Sequence, residues 1–293
     1  MTGIFNGVIT AMITPFKDGK VNFKTLGKLI DYQIAHGADA LVILGTTGEP
    51  STMTEAEKQE TIRFSVKQAA GKIKIIVGVG SNDTAKAVAS AITAEKLGAD
   101  GVLAVTPYYN KCTQRGIFEY YKAICSATKL PVIAYNVPSR TGVNITPETA
   151  EKLTVLENLA GIKEASGNMA QVCETMRRVR GKIDIFSGED ALNLPILAIG
   201  GAGVISVVSD IAPEQVKEVY TLVKEGNFEK ANELQDKLLP LIDACFIEVN
   251  PIPVKAACNM LGFDAGIPRP PLTELEDEHK AKLLLELKKA VKF

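Results

Sequence analysis

The sequence predicts an α/β protein with a (β/α)8 barrel of the TIM type, followed by a C-terminal helical appendage. Short apolar runs alternate with longer segments of helical period, and eight such pairs fit within about the first 226 residues. The tripeptide Gly-Ala-Asp precedes two of the runs, at 37–39 and 98–100, and indicates a repeated unit. A doubly wound sheet usually has about five or six strands and a glycine fingerprint after the first one, and the sequence lacks that fingerprint.

Each predicted strand is a largely continuous apolar run. This pattern is typical of a parallel strand that is buried on both faces, because helices cover both sides of the sheet. The eight runs are residues 7–14, 40–44, 73–77, 101–105, 131–135, 159–163, 183–186 and 203–208.

The predicted helices between the strands are marked mainly by their ends. A capping box at Thr54-Glu-Ala-Glu57 begins one helix, and the pair Thr146-Pro147 begins another. Gly37 ends a helix as the residue after its C-cap. Further signals are the cap Asn82-Asp83, the helical spacing of Leu26, Leu29, Ile30 and Ile34, and the periodic segment at about 115–128.

The strand pattern stops after residue 226. Three helical stretches follow, at 227–248, 253–261 and 273–291, with prolines between them. We therefore predict a catalytic barrel over residues 1–226 and a helical domain over 227–293. The apolar residues at 238–246 need a surface to cover, on the barrel or on a neighbouring subunit.

Composition excludes several classes of protein. The 33 basic and 34 acidic residues nearly cancel, so the chain offers no field for nucleic acid or an anionic membrane. The sequence lacks a signal-peptide pattern and an apolar run of about 18 residues, which predicts a cytoplasmic protein. Five scattered cysteines and two distant histidines suggest neither a disulfide framework nor a metal site.

Lys163 is the candidate nucleophile. It ends an apolar run, where desolvation lowers the pKa of an amine and leaves it neutral and reactive. Lys74 and Lys182 stand at the starts of their runs, and the carboxyl ends of barrel strands are the ends that carry chemistry. The alternative is a strand-end lysine that extends its amine into water.

The other strand ends contribute hydroxyls and one guanidinium. They offer no histidine and no close carboxylate pair, which disfavours hydrolytic dyads and metal sites. The set suits Schiff-base chemistry on a keto acid. Alternatively, these residues form turns, fill the barrel or pair with surface acids. The segments are 45–49, 106–109, 135–142 and 187–189.

Three motifs carry a resemblance to a known family: Gly45-Thr-Thr-Gly-Glu49, Tyr135-Asn-Val-Pro138 with Arg140-Thr-Gly142, and Gly161-Ile-Lys-Glu-Ala165. From about residue 5 onwards the chain resembles the dihydrodipicolinate synthase family, pyruvate-dependent class I aldolases that also include N-acetylneuraminate lyase. The resemblance implies a homotetramer, a dimer of dimers. It implies the condensation of pyruvate with aspartate semialdehyde in lysine and diaminopimelate biosynthesis, with no cofactor beyond the covalent pyruvate imine.

The resemblance also implies roles for individual residues. Lys163 is similar to the imine-forming lysine, and Tyr135 to the tyrosine that transfers protons. Thr47 would link Tyr135 to Tyr109, and Tyr109 would come from a neighbouring subunit. The remaining substrate contacts would be Thr46 and Thr47 with nearby amides on the pyruvate carboxylate, Arg140 on the carboxylate of the aldehyde, and the backbone at Gly188 and Ile205.

An effector pocket for free lysine is known in sensitive members of the family. The corresponding region here resembles it only in part, because Lys86 replaces a carboxylate, and Glu55 and Lys58 replace imidazoles. We therefore expect weak inhibition by lysine or none. The region comprises Ser51, Glu55, Lys58, Asn82, Lys86 and Tyr108.

Two other functions remain open from the sequence. A lyase acting on sialic acid or on a 2-keto-3-deoxy sugar acid shares the imine chemistry and differs in its second substrate. A non-catalytic scaffold would have no reason to retain a buried amine that is costly to desolvate. Borohydride trapping of pyruvate separates enzyme from scaffold, and a comparison of aldehydes separates synthase from lyase.

Overall fold

The computed structural model describes residues 2–291, and its strands confirm the predicted barrel. The strands of the described chain are β1 (Gly7–Ala11), β2 (Phe16–Lys17), β3 (Lys20–Val21), β4 (Ala40–Ile43), β5 (Lys74–Gly78), β6 (Gly101–Val105), β7 (Val132–Asn136), β8 (Leu159–Glu164), β9 (Asp184–Ser187) and β10 (Gly203–Ser206). Eight of them close into a barrel in the order β1-β10-β9-β8-β7-β6-β5-β4. The pairs β6–β7, β7–β8 and β8–β9 are parallel, as a (β/α)8 barrel requires.

Helices separate the barrel strands along the chain. Over residues 2–291 they are α1 (Phe23–Ala35), α2 (Glu55–Ala69), α3 (Thr84–Lys96), α4 (Gln114–Ala127), α5 (Pro138–Thr141), α6 (Pro147–Leu153), α7 (Met169–Val179), α8 (Asn193–Ala198), α9 (Pro213–Lys224), α10 (Phe228–Cys245), α11 (Ile252–Met260) and α12 (Asp277–Ala290). In this described part, no helix combines the length and the apolar character that crossing a membrane requires.

The predicted helix ends are confirmed. Thr54 and Glu57 form a reciprocal capping box at the start of α2. The Thr146 side chain caps α6 ahead of its N1 proline, and Asp83 caps α3. Gly37 follows α1 with φ +82°, a left-handed conformation that favours glycine at this position.

The structure also differs from the predicted elements in places. The first strand ends at Ala11 rather than at residue 14, and a short hairpin of β2 and β3 follows. The final helix begins at Asp277 rather than at residue 273, because the backbone N–H of Glu276 donates to the side chain of Glu248 outside the helix. Short α5 was not predicted.

By their internal packing, the residues form two compact units. The first comprises 2–7 and 76–205, and the second comprises 8–75 and 206–291. The predicted boundary at residue 226 falls inside the second unit, where α10 packs against α9 and α12. The division into a barrel domain and a C-terminal domain stays a prediction, and residues 292 and 293 lie outside the described part of the chain.

Candidate active site

Lys163 lies in β8, one residue before the strand ends. Its side chain is almost completely buried, with 5% exposure, so it does not extend into water as the alternative interpretation required. In the strand register it stands opposite Tyr135 of β7 on one side and Phe186 of β9 on the other. The Nζ atom lies 4.4 Å from the centre of the Tyr135 ring. The barrel thus brings together Lys163 and Tyr135, the predicted nucleophile and the predicted proton carrier.

Burial changes the protonation of Lys163. Desolvation lowers the pKa of its amine from 10.5 to about 8, because the charged form loses hydration inside the protein. The carboxylate of Asp190 opposes this effect, and the cation of Arg140 adds to it. Near neutral pH a useful fraction of the amine is therefore neutral and nucleophilic.

Tyr135 is held as a neutral phenol. Burial raises the pKa of Tyr135 to about 12, while Arg140 lowers it and Glu189 raises it. The backbone N–H of Tyr135 donates to the Tyr121 hydroxyl at 3.3 Å, and this hydroxyl donates to the carbonyl of Ala104 at 2.9 Å. The phenol thus keeps its proton at neutral pH. The Tyr121 hydroxyl fixes the backbone of the strand that carries it.

Gly188 leaves room for the stem of the lysine. A Cβ atom at this position would lie 2.8 Å from Cγ of Lys163 and 2.9 Å from its Cε, closer than real side-chain carbons approach. The Gly188 N–H donates to the carbonyl of Glu164 at 2.8 Å, which holds the backbone beside the lysine. Ile205, the other predicted backbone contact, is fully buried in β10.

Arg140 is presented by the short helix α5 just beyond β7. Its side chain is exposed, and in the described residues it forms no ion pair. The interpretation of Arg140 as one half of a surface salt bridge therefore does not hold. Its guanidinium is available for an anion from solution, and its charge is felt by both Lys163 and Tyr135.

Sequence reasoning missed a polar network behind the two central residues. Asn136 follows Tyr135 and Glu164 follows Lys163, so their side chains point to the opposite face of the sheet. The amide of Asn136 donates to Glu164 Oε2 at 3.0 Å, while its Oδ1 accepts from the backbone of Ile145. Glu164 is buried, and burial raises its pKa. Polar residues next to Tyr135 and Lys163 inside apolar strands were the signal available in the sequence.

Thr46 and Thr47 lie in the second unit, in a short 3-10 helix that spans Thr46–Gly48 directly after β4. Thr46 is exposed and Thr47 is buried. The hydroxyl of Thr47 accepts a hydrogen bond from the Asn250 side chain at 3.0 Å. Neither Asn250 nor this contact was predicted, because the two residues are 203 positions apart.

Glu49 ends the same loop in a left-handed conformation, with φ +54°. Its carboxylate forms a fully buried ion pair with Lys255 of α11 at 2.7 Å. The other oxygen of the carboxylate accepts from the backbone N–H of Arg269 at 2.8 Å. The loop that carries Thr46 and Thr47 is thereby fixed by residues from near the end of the chain.

Tyr109 projects away from its own subunit. Its side chain is 91% exposed, and its backbone has φ +66°, which a tyrosine rarely adopts. Tyr108 before it is 38% exposed. Backbone strain of this kind is found most often at functional sites.

The predicted effector residues are mostly on the surface. Ser51 and Glu55 are exposed in the second unit, where Lys58 forms an ion pair with Glu55 at 2.7 Å. Asn82 and Lys86 are exposed in the first unit, which also contains Tyr108.

Comparisons with known proteins agree on one assignment. The family model described as the dihydrodipicolinate synthetase family matches residues 4–290. The 4-hydroxy-tetrahydrodipicolinate synthase of Caldicellulosiruptor bescii is 52% identical over 278 residues, which are 94% of each chain.

Solved structures give the same result. One, described as the first monomeric dihydrodipicolinate synthase variant, is 44% identical, with a TM-score of 0.96 over 98% of this chain and 97% of the other. Another is the chloride-inhibited dihydrodipicolinate synthase of Acinetobacter baumannii in complex with pyruvate. It is 40% identical, with a TM-score of 0.95 over 97% of this chain and 98% of the other.

Proposed function

We propose that this chain, which belongs to the dihydrodipicolinate synthetase family, acts as a 4-hydroxy-tetrahydrodipicolinate synthase. The family, the barrel and the lyase function predicted from the sequence are confirmed by relatives of that name over nearly the whole chain. The substrates we propose are pyruvate and L-aspartate 4-semialdehyde, in the diaminopimelate and lysine pathway. The observation that carries the proposed chemistry is the buried amine of Lys163, whose pKa is lowered to about 8 and whose Nζ lies 4.4 Å from the centre of the Tyr135 ring.

The first step is imine formation on Lys163. Its neutral amine adds to the keto carbon of pyruvate, a C–N bond forms, and the ketone oxygen leaves as water. We propose no cofactor apart from this covalent pyruvate imine. The covalent imine makes the methyl protons of pyruvate acidic, and loss of one gives an enamine whose carbon attacks the aldehyde of the second substrate.

Tyr135 is the proposed proton carrier for these steps. Because its pKa is about 12, it stays protonated at neutral pH and can donate to the leaving oxygen. It recovers the proton through neighbouring hydroxyls, for which we propose Thr47 and a partner subunit's tyrosine equivalent to Tyr109. The support is the buried position of Thr47 and the outward position of Tyr109.

The two carboxylates need separate binding groups. We propose Arg140 for the carboxylate of aspartate semialdehyde, since its exposed guanidinium is unpaired in the described residues and can form a bidentate contact. Thr46, Thr47 and nearby amides are proposed for the carboxylate of pyruvate, with the backbone at Gly188 and Ile205 beside it.

The assembly we propose is a homotetramer built from two dimers, in the cytoplasm. Tyr109 supports an assembled site, because a residue 91% exposed cannot contribute to a buried site of its own chain without a partner to cover it. The monomeric variant among the similar structures makes the oligomeric state a quantity to measure for this chain.

Trapping with borohydride tests the proposed function. Incubation with pyruvate and borohydride is expected to add one reduced pyruvate per chain to the wild type and none to Lys163→Ala. Lys182→Ala is the matched control, because that lysine is exposed and lies two residues before the start of β9, away from the carboxyl ends of the strands. Full trapping in Lys163→Ala would remove Lys163 from the mechanism. A coupled assay with aspartate semialdehyde and with sugar aldehydes then separates synthase from lyase.

A further inference from the structure

We propose that Asn250 is a positioning residue that sets the direction of the Thr47 hydroxyl, which deepens and rests on the proposed function. Asn250 stands just before α11, and its side-chain N–H donates to Thr47 Oγ1 at 3.0 Å. Both residues are almost fully buried, with 5% and 3% exposure. Water therefore does not compete for this hydrogen bond.

The direction of the bond determines what Thr47 can do. A hydroxyl has one hydrogen to donate and two lone pairs that accept. Because the amide of Asn250 fills a lone pair, the hydrogen of Thr47 has to point elsewhere. In the described residues the Thr47 hydroxyl donates to no other group, so its proton is available to a proton relay.

The second observation concerns the carbonyl oxygen of the Asn250 side chain. Asn250 Oδ1 is buried and has no hydrogen-bond partner among the described residues. A buried oxygen without a hydrogen bond is destabilising. The hydrogen bond that the Asn250 side chain forms in the described residues is therefore the one that its N–H donates to Thr47.

Neighbouring contacts fix the position of the Thr47 loop relative to Asn250. The ion pair of Glu49 with Lys255 joins the Thr47 loop to α11, and Arg269 donates its backbone N–H to the same carboxylate. Asn250 and Lys255 thus hold the loop from one short segment of chain. With the loop fixed by Lys255, the contribution specific to Asn250 is the orientation of one hydroxyl.

The test is a double-mutant cycle between Asn250 and Thr47. Asn250→Asp keeps the shape and replaces the donor by an acceptor, which turns the Thr47 hydrogen away from the relay. We expect the kcat of synthesis to fall at least tenfold, with both KM values within about threefold. In a Thr47→Val background the same change is expected to alter kcat less than twofold, because no hydroxyl remains to orient.

Controls separate orientation from folding. Asn259→Asp removes an amide donor from α11, the helix that follows Asn250. The Asn259 amide donates to the carbonyl of Gly266, and its loss should leave kcat unchanged. If Asn250→Asp does not fold, Asn250→Ser replaces it in the cycle, because its shorter side chain withdraws the donor without adding a charge.

The outcomes are distinct. An undiminished kcat in the Asn250 variant, or equal effects with and without the Thr47 hydroxyl, overturns the inference about Asn250. A wild-type protein that traps no pyruvate and makes no product overturns the proposed function instead. Non-additive losses confined to kcat support the positioning role.

Discussion

Tyr135 and Lys163 face each other across neighbouring parallel strands, with the lysine Nζ 4.4 Å from the centre of the tyrosine ring. Both are buried, and burial moves their pKa values in opposite directions, to about 8 for the amine and about 12 for the phenol. The same desolvation therefore makes the amine easier to deprotonate and keeps the phenol protonated. This separation of pKa values is what imine chemistry requires near neutral pH.

Burial of the Lys163 amine should lower the free energy of unfolding by a measurable amount. Replacing Lys163 by Met is expected to stabilise the fold at pH 7 by roughly 3 kcal/mol, since each unit of depressed pKa is about 1.4 kcal/mol against the charged form. At pH 7 and below the amine is mostly charged in both the folded and the unfolded states, so nearly all of this cost is present. Between about 8 and 10.5 only the unfolded chain stays charged, and wild-type stability rises with pH towards that of the variant.

Chemical unfolding at pH 7 and at pH 10 measures this difference. Lys72→Met is the matched control, because that lysine is exposed two residues before β5 and its replacement should change stability by less than about 0.5 kcal/mol. A Lys163→Met protein less stable than wild type at pH 7, or a gap that widens towards pH 10, would contradict the desolvation account.

Arg140→Ala should affect the two substrates unequally. We expect the KM for aspartate semialdehyde to rise roughly tenfold or more, which corresponds to about 1.4 kcal/mol or more, because a charge-assisted contact with its carboxylate is lost. The KM for pyruvate should change less than threefold. Arg140→Lys keeps the charge without the planar fork and should fall between wild type and Arg140→Ala. Equal changes in both KM values would show that Arg140 does not select the aldehyde.

Tyr109 can be assigned to its own site or to a neighbour's by mixing subunits. Tyr109→Phe and Lys163→Ala are each expected to have little activity alone. If Tyr109 reaches across an interface, mixed oligomers contain some sites with neither defect, and activity returns. Subunit exchange is verified by mass spectrometry of the intact assemblies. Verified exchange without any recovery would place Tyr109 in the site of its own subunit.

Free lysine is expected to inhibit weakly or not at all. Lys86 is exposed on α3 and would repel the ammonium of the effector, and Glu55 already pairs with Lys58 at 2.7 Å. Activity is titrated with lysine at saturating aldehyde and near-KM pyruvate, for the wild type and for Lys86→Glu. Half-inhibition of the wild type below about 1 mM, an affinity of roughly 4 kcal/mol, would show that the charge argument fails. Greater sensitivity in Lys86→Glu would support it.

Much of the fold was predictable from local signals. The apolar runs located all eight barrel strands, and the threonine and aspartate caps marked helix starts such as Thr54 and Thr146. The predicted start of α12 was wrong, because the residue before the helix, Glu276, is held by a contact with the distant Glu248. The hairpin of β2 and β3 was missed because each of its strands has only two residues, too few to show a period.

The candidate site also has features that local sequence predicts and features that it does not. The sequence by itself determined which residue types stand at the strand ends, including Lys163, Tyr135 and Arg140, because strand ends follow from the local alternation of apolar runs and helices. Only the tertiary structure decided the partners of Thr47 and Glu49, which are Asn250 and Lys255. Each pair joins residues more than 200 positions apart, and no local pattern encodes such a contact. Burial likewise belongs to the folded chain, since a lysine acquires a pKa of about 8 only when surrounding strands and loops exclude water from it.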